Sequence, residues 1–360
     1  MYLLLACLTV FALTCFSIKT LHPLAHKVGL VDLPNNRKHH VGSVPLIGGV
    51  SIYLGVLLVS SFVINLGQVF NLYLISTALV LFLGVLDDRY DLSVRVRLVA
   101  QVLIASILVF GAEAYLTSFG GILYFFEFKL GIVGAFVTII AVIGCINAFN
   151  MVDGIDGLAG VLSIVAFASL ALLFYMAGSP WFMLPLLFVA AISGYLLFNL
   201  SLPFSAFTKV FMGDAGSMLI GLTIVWLLVL GAESSRDIFS PVTALYIIAI
   251  PLMDMAAIMY RRMKKGLSPF KPDRDHLHHI FQRAGYSRLH TLIFISLAAI
   301  IMAGAGILGE MFDTPEWLMF TSFMIIFAVY NLVLANIWKI VRQVRRYKVV
   351  QRRKAKQASV

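Results

Sequence analysis

Charge is what this chain has least of. Asp, Glu, Lys and Arg make up 12% of its 360 residues against 61% hydrophobic residues, and the mean hydropathy is +0.97. A soluble domain carries about a quarter charged residues and about half apolar ones, so a water-soluble globule is excluded. Cysteine is nearly absent as well. Cys7, Cys15 and Cys145 all fall inside apolar runs, and an odd count in such places argues against a disulfide framework. The first run, Met1 to Ile18, has no basic residue ahead of it and no small-residue cleavage site before Lys19. It is expected to be a retained helix and not a removable signal.

What is present is a series of long apolar runs, each about 18 residues or more and so long enough to span a bilayer. About eleven spans are expected, near 2–18, 46–66, 70–86, 97–115, 132–150, 158–178, 182–200, 214–231, 241–260, 291–309 and 317–338. The fold class is therefore an all-α, polytopic membrane protein. One membrane-embedded domain covers 1–338, and residues 339–360 form a basic tail. With the C-terminus inside, every one of the 27 Lys and Arg residues except Lys129 and Arg236 falls on the inner side. The positive-inside rule then puts the N-terminus in the periplasm and the tail in the cytoplasm. The formal charge of +10 thus sets topology and headgroup contacts, and does not point to nucleic acid. A homodimer is compatible with the sequence.

The acids then sort by side. Glutamate is missing from the inner face: Asp32, Asp87, Asp88, Asp91, Asp153, Asp156, Asp214, Asp254, Asp273 and Asp275 stand there, most of them at span ends. Short carboxylates gathered at one boundary suit a hard divalent cation and its water shell.

Four segments carry the chemistry. The third run ends in Asp87-Asp88 with Asp91, where two anions oppose a helix dipole; Asp87 and Asp91 share a face if the helix continues. A solvated acidic loop partnered by Arg89 is the bland alternative. The fifth run leads into Asn147, Asn150, Asp153-Gly-Ile-Asp156-Gly157. Such broken backbone at membrane depth is tolerated where it lines a polar cavity, and one helix cap needs one residue, not four. Phe211-Met-Gly-Asp214-Ala-Gly-Ser opens the eighth run. It reads equally as an ordinary N-cap or as a helix start that holds a phosphate and a metal. After the ninth run come Lys271, Asp273, Arg274, Asp275, His276, His278 and His279, and the first inner loop repeats the flavour with Arg37-Lys38-His39-His40. A zinc site is the competing reading, but no cysteine lies near. Donors for sugar hydroxyls or a pyrophosphate fit the composition better. Asp254, inside the ninth run, is either the partner of a basic residue or a group standing behind a site.

These motifs, in this order and over essentially the whole chain, resemble the polyprenyl-phosphate N-acetylhexosamine-1-phosphate transferases. Within that family the chain is most similar to the branch that moves GlcNAc-1-phosphate from UDP-GlcNAc to undecaprenyl phosphate, starting O-antigen and enterobacterial common antigen. The His276-x-His278-His279 pattern and an eleventh run with a basic tail carry that choice, since the peptidoglycan branch has three consecutive histidines and ten spans. Leu277 replaces the usual Ile, a volume-conserving change. The resemblance implies a bacterial inner-membrane enzyme with its site facing the cytoplasm. Asp214 would hold Mg²⁺, with Mn²⁺ as a substitute. Asp87 would act on the lipid phosphate, and Asp88 would support the metal or diphosphate. Asp153, Asp156, Asn199 and Phe211 would line the nucleotide, with Asn150 among the substrate-binding groups. His276, His278, His279 and Arg262 would hold the sugar and diphosphate. In-line attack on the β-phosphorus and a covalent intermediate on an Asp both remain open. A different UDP-N-acetylhexosamine is the nearer alternative. A secondary transporter is the farther one, although it predicts mid-membrane acids in two related halves.

Overall fold

The computed structural model describes residues 2–33, 42–200, 208–233, 238–269, 276–337, 339, 341 and 342. Arg37, Lys38, His39, His40, Lys271, Asp273, Arg274, Asp275 and most of the basic tail lie outside the described residues. Helices dominate, because nearly every apolar run must satisfy its backbone N–H and C=O groups internally. In chain order they are α1 (Tyr2–Val28), α2 (Gly48–Val63), α3 (Gly67–Tyr90), α4 (Val94–Ser106), α5 (Val133–Val152), α6 (Leu158–Met176), α7 (Met183–Asn199) and α8 (Gly213–Ala232). They continue with α9 (Pro241–Ile247), α10 (Ala249–Lys264), α11 (Leu277–Arg283), α12 (Arg288–Met311) and α13 (Glu316–Ala335). Two short strands, β1 (Val31–Asp32) and β2 (Val44–Pro45), pair antiparallel beyond α1.

Among the described residues nine helical segments are long and apolar enough to cross a membrane, and a bent pair makes a tenth. Each of the eleven expected runs is helical, with two corrections. The second run yields only a 16-residue helix, α2, short of the usual spanning length of about 20 residues. The ninth is not one straight span: α9 and α10 meet at 83°. Pro251 explains the break, since it has no N–H to donate and its ring clashes with the carbonyl four residues back, at Ile247, where α9 ends.

Helix α8 is the hub. Its apolar window is wholly buried, whereas only 22% of that of α1 and 17% of that of α13 is buried. Lipid tails are as apolar as leucine, so helices associate through close packing. Gly49 of α2 and Gly84 of α3 allow it: a Cβ on either would overlap the backbone of Ala215 or Gly216 at the start of α8. The Tyr73 hydroxyl meets Thr223 Oγ1 at 3.0 Å and ties α3 to α8 farther along. The consequence is positional. The ends of α3 and α5 and the beginning of α8 are pressed together at one end of the bundle.

Candidate active site

At that end the acids are arranged as partners of particular backbone groups. Helix α3 stops at Tyr90, and Asp91 caps it in the left-handed conformation at φ 50°. The helix therefore does not continue, and Asp91 does not share a helical face with Asp87. Asp87 is buried and doubly held: Oδ1 accepts from the Leu92 N–H at 2.9 Å and Oδ2 from Arg97 Nη1 at 2.8 Å. Breaking such a buried pair from one side costs about 3–5 kcal/mol. Arg97 enters the site this way; in sequence it reads only as a topology charge.

Asp88 points the other way, across the helix interface. Its Oδ1 accepts from the Asp214 N–H at 2.8 Å and its Oδ2 from the Ala215 N–H at 3.1 Å. Its charge opposes the C-terminal dipole of α3 but favours the N-terminal dipole of α8. Asp88 therefore caps α8 from another helix. Asp214 is not the N-cap; Met212 occupies that position. Asn150 Nδ2 donates to Asp214 Oδ1 at 2.7 Å and to Ser217 Oγ at 3.0 Å, fastening the end of α5 to α8. Asp87 and Arg97 are charged neighbours of Asp214, and Asp88 lies within electrostatic reach of it as well. Asp153, exposed just past α5, feels both Asp214 and Asp156.

Asp156 accepts from Lys209 Nζ at 2.7 Å, and Arg288 Nη1 stands 3.6 Å away. The same ammonium lies 5.2 Å from the centre of the Phe211 ring, a cation–π distance. Phe211 is fixed by its backbone: its N–H donates to the Pro45 carbonyl at 2.9 Å, and its carbonyl accepts from the Gly48 N–H at 2.9 Å. Asn199 is committed to scaffolding. Its Oδ1 accepts from the Gly157 N–H at 2.6 Å and its Nδ2 donates to the Val210 carbonyl at 3.0 Å. It joins the 153–157 turn to the Phe211 segment.

The histidines close the site. His276 and His278 stack at 5.7 Å with an angle of 11°, and His278 meets His279 at 4.3 Å. A Cβ on Gly154 would overlap the His278 ring, so glycine lets α11 touch the 153–157 turn. His278 is buried and its Nε2 has no hydrogen-bond partner. Burial, then the charges of His279 and His276, hold its pKa well below the usual imidazole value. A neutral ring with an unmet polar atom suits a hydroxyl ligand. Arg262 is buried and donates through Nη1 to the Pro269 carbonyl at 2.6 Å, at the mouth of the same segment.

Among the described residues no three His, Cys, Asp or Glu side chains form a ready ligand set. Mg²⁺ does not require one, because it keeps several waters and takes one or two carboxylates plus substrate phosphates. Asp214, beside Asp87 and near Asp153, is a donor set of that kind. The structure therefore draws into one rim Asp87, Asp88, Asn150, Asp153, Asp156, Phe211 and Asp214, with the histidines on the 153–157 side.

Comparison with known proteins shows what the chain is similar to. The model of glycosyl transferase family 4 matches residues 70–232, from α3 to the end of α8. A curated protein of Salmonella typhi, undecaprenyl-phosphate alpha-N-acetylglucosaminyl 1-phosphate transferase, is 44% identical over 97% of this chain and 95% of its own length. The proteins of the same description from Pasteurella multocida (44%, 98% of both chains) and Escherichia coli K12 (42%, 95% of this chain and 93% of its own) are similar to the same extent.

Proposed function

Given that this chain belongs to glycosyl transferase family 4, we infer that it transfers GlcNAc-1-phosphate from UDP-GlcNAc to undecaprenyl phosphate, releasing UMP. The observation that carries this reading is the convergence of acids and their amide partners where α3 and α5 end and α8 starts, at full-length identity of 44% to relatives so described. It is a membrane enzyme. We place the rim at the cytoplasmic face of the bacterial inner membrane, because the basic residues then lie inside. A reporter active only in the periplasm, fused after Val360, is expected to stay silent; a signal there would invert the topology.

The chemistry asks little covalent work of the protein. A lipid phosphate, with a second pKa near 6, is largely ionised at neutral pH. One of its oxygens bonds to the β-phosphorus of UDP-GlcNAc while the bridging oxygen leaves with UMP, so no proton need be removed to make the nucleophile. Positioning and charge neutralisation dominate such transfers. Asp214 is the residue to hold Mg²⁺, which when bound offsets the negative charge of the diphosphate. Asp88 fixes Asp214 by capping α8. Asp87, oriented by Arg97, borders the acceptor phosphate. Lys209, drawn over Phe211 by Asp156, presents a cation and a ring edge to the nucleotide, and Asn199 holds the two segments together. The neutral His278, flanked by His276 and His279, meets the sugar, with Arg262 behind.

The direct test is purified protein with undecaprenyl phosphate and a panel of UDP-sugars, following UMP release. Turnover with UDP-GlcNAc well above other UDP-N-acetylhexosamines is expected. Equal or faster turnover of another sugar would reassign the donor, and no UMP with any donor would refute the transfer.

A further inference from the structure

Asp254 lies on α10 beyond the bend at Ile248, and 1% of it is exposed. A carboxylate at that depth needs donors, and three reach it from two other parts of the fold. His276 Nδ1–H donates to Oδ2 at 3.0 Å, the Leu277 backbone N–H to Oδ1 at 3.1 Å, and the Tyr330 hydroxyl of α13 to Oδ1 at 3.0 Å. The Leu277 N–H, first of the backbone donors of α11, would otherwise lack this partner, because His276, its N-cap, makes no side-chain cap bond. One carboxylate thus grips both the ring and the backbone where the histidine segment begins. The last long helix grips that carboxylate in turn.

We propose that Asp254 is a positioning residue for His276, with Tyr330 locking the Asp254 side chain in place. An acceptor at Nδ1 fixes that nitrogen as the protonated one and turns Nε2 outward as the atom that meets substrate. The ring held this way lies nearly parallel to His278, so its orientation is coupled to that ring, whose Nε2 is unpartnered. The proposal rests on the reading that His276 faces the sugar–diphosphate donor. It assigns to α13, whose apolar face is otherwise mostly exposed to lipid, a part in donor binding.

The test is a pair of double-mutant cycles, D254N with H276A and Y330F with H276A, in the full-length enzyme. An amide at 254 presents N–H toward Nδ1 on one side, so the ring loses its anchor without a change of volume. In the wild-type background kcat/KM for UDP-GlcNAc is expected to fall about a hundredfold in D254N and about tenfold in Y330F, the range of one hydrogen bond to a charged group, with the smaller loss where the carboxylate is kept. KM for undecaprenyl phosphate should not move. In the H276A background both losses should vanish, because a residue acting through His276 has nothing left to orient. Losses that multiply with H276A, or that strike both substrates alike, would overturn the proposal and make the cluster a structural tie. An H276A enzyme of normal kcat/KM would instead overturn the donor-binding reading of His276 itself. Should D254N fail to accumulate in membranes, the Y330F cycle decides by the same criterion, since it removes one hydroxyl only.

Discussion

Helices α8 and α9 start in the same manner, against a carboxylate lent by another helix, yet they sit in opposite electrostatic company. At α9, Glu310 of α12 accepts from the Ser240 N–H at 3.1 Å, the Ser240 hydroxyl at 2.8 Å and the Thr243 hydroxyl at 2.6 Å. One anion is met by three donors, and nothing further is asked of it. At α8, Asp88 accepts from two N–H groups, but Asp87 and Asp214 crowd the same place and Asp153 lies within electrostatic reach. Arg97 and the Asn150 amide answer only part of that charge. A borrowed cap stabilises a fold in both cases. Only the second leaves an excess of negative charge, which costs stability unless a cation is brought in.

The largest effect is expected from D214N. With the anionic ligand gone, UMP release should fall by about a thousandfold or more, equivalent to about 4 kcal/mol of transition-state stabilisation. The metal-free melting temperature should hold or rise, because one member of a repelling set is neutral. Next comes the matched pair D88N and E310Q. Each amide keeps one acceptor oxygen of two, so each variant should lose about 1–2 kcal/mol in stability. Turnover should fall about a hundredfold in D88N, which mispositions Asp214, and stay within about twofold in E310Q. Equal turnover losses would mean that the two caps do the same job. An effect smaller than that of D88N is expected from G154A. The added methyl pushes His278 off the 153–157 turn, raising KM for UDP-GlcNAc about tenfold while leaving KM for undecaprenyl phosphate unchanged.

The location of the long helices was legible because an apolar run longer than about 18 residues has little else to become, whereas the seven-residue α11 falls in a segment that reads as a loop. The bend at Ile248 was missed, because Pro251 counts as one residue within a long apolar run. The rim acids could be named as a set from their one-sided distribution. Their individual roles could not. Asp88 caps a helix that starts 125 residues later in the chain, and no local pattern distinguishes it from Asp87, which turns to Arg97 instead. Asn199 is harder still: an amide whose two ends join backbone at Gly157 and Val210 looks in sequence like any polar residue at a helix end. Lys209 and Tyr330 were invisible for the same reason, since each acts through a partner 53 or 76 residues away. Gly154 carries a trace of its role in the Asp-Gly-Ile-Asp spacing, although what it makes room for comes from α11.

The surplus negative charge at the start of α8 is proposed to take a divalent cation together with a diphosphate. The most direct test is the melting temperature of the detergent-solubilised protein with UDP-GlcNAc, without the lipid acceptor, as Mg²⁺ is titrated from a chelated baseline. Wild type and E310Q should be stabilised by the nucleotide sugar in step with Mg²⁺, and D214N should show no metal-dependent shift. A shift in D214N equal to that of wild type would contradict the claim and return Asp214 to the ranks of ordinary helix-start residues.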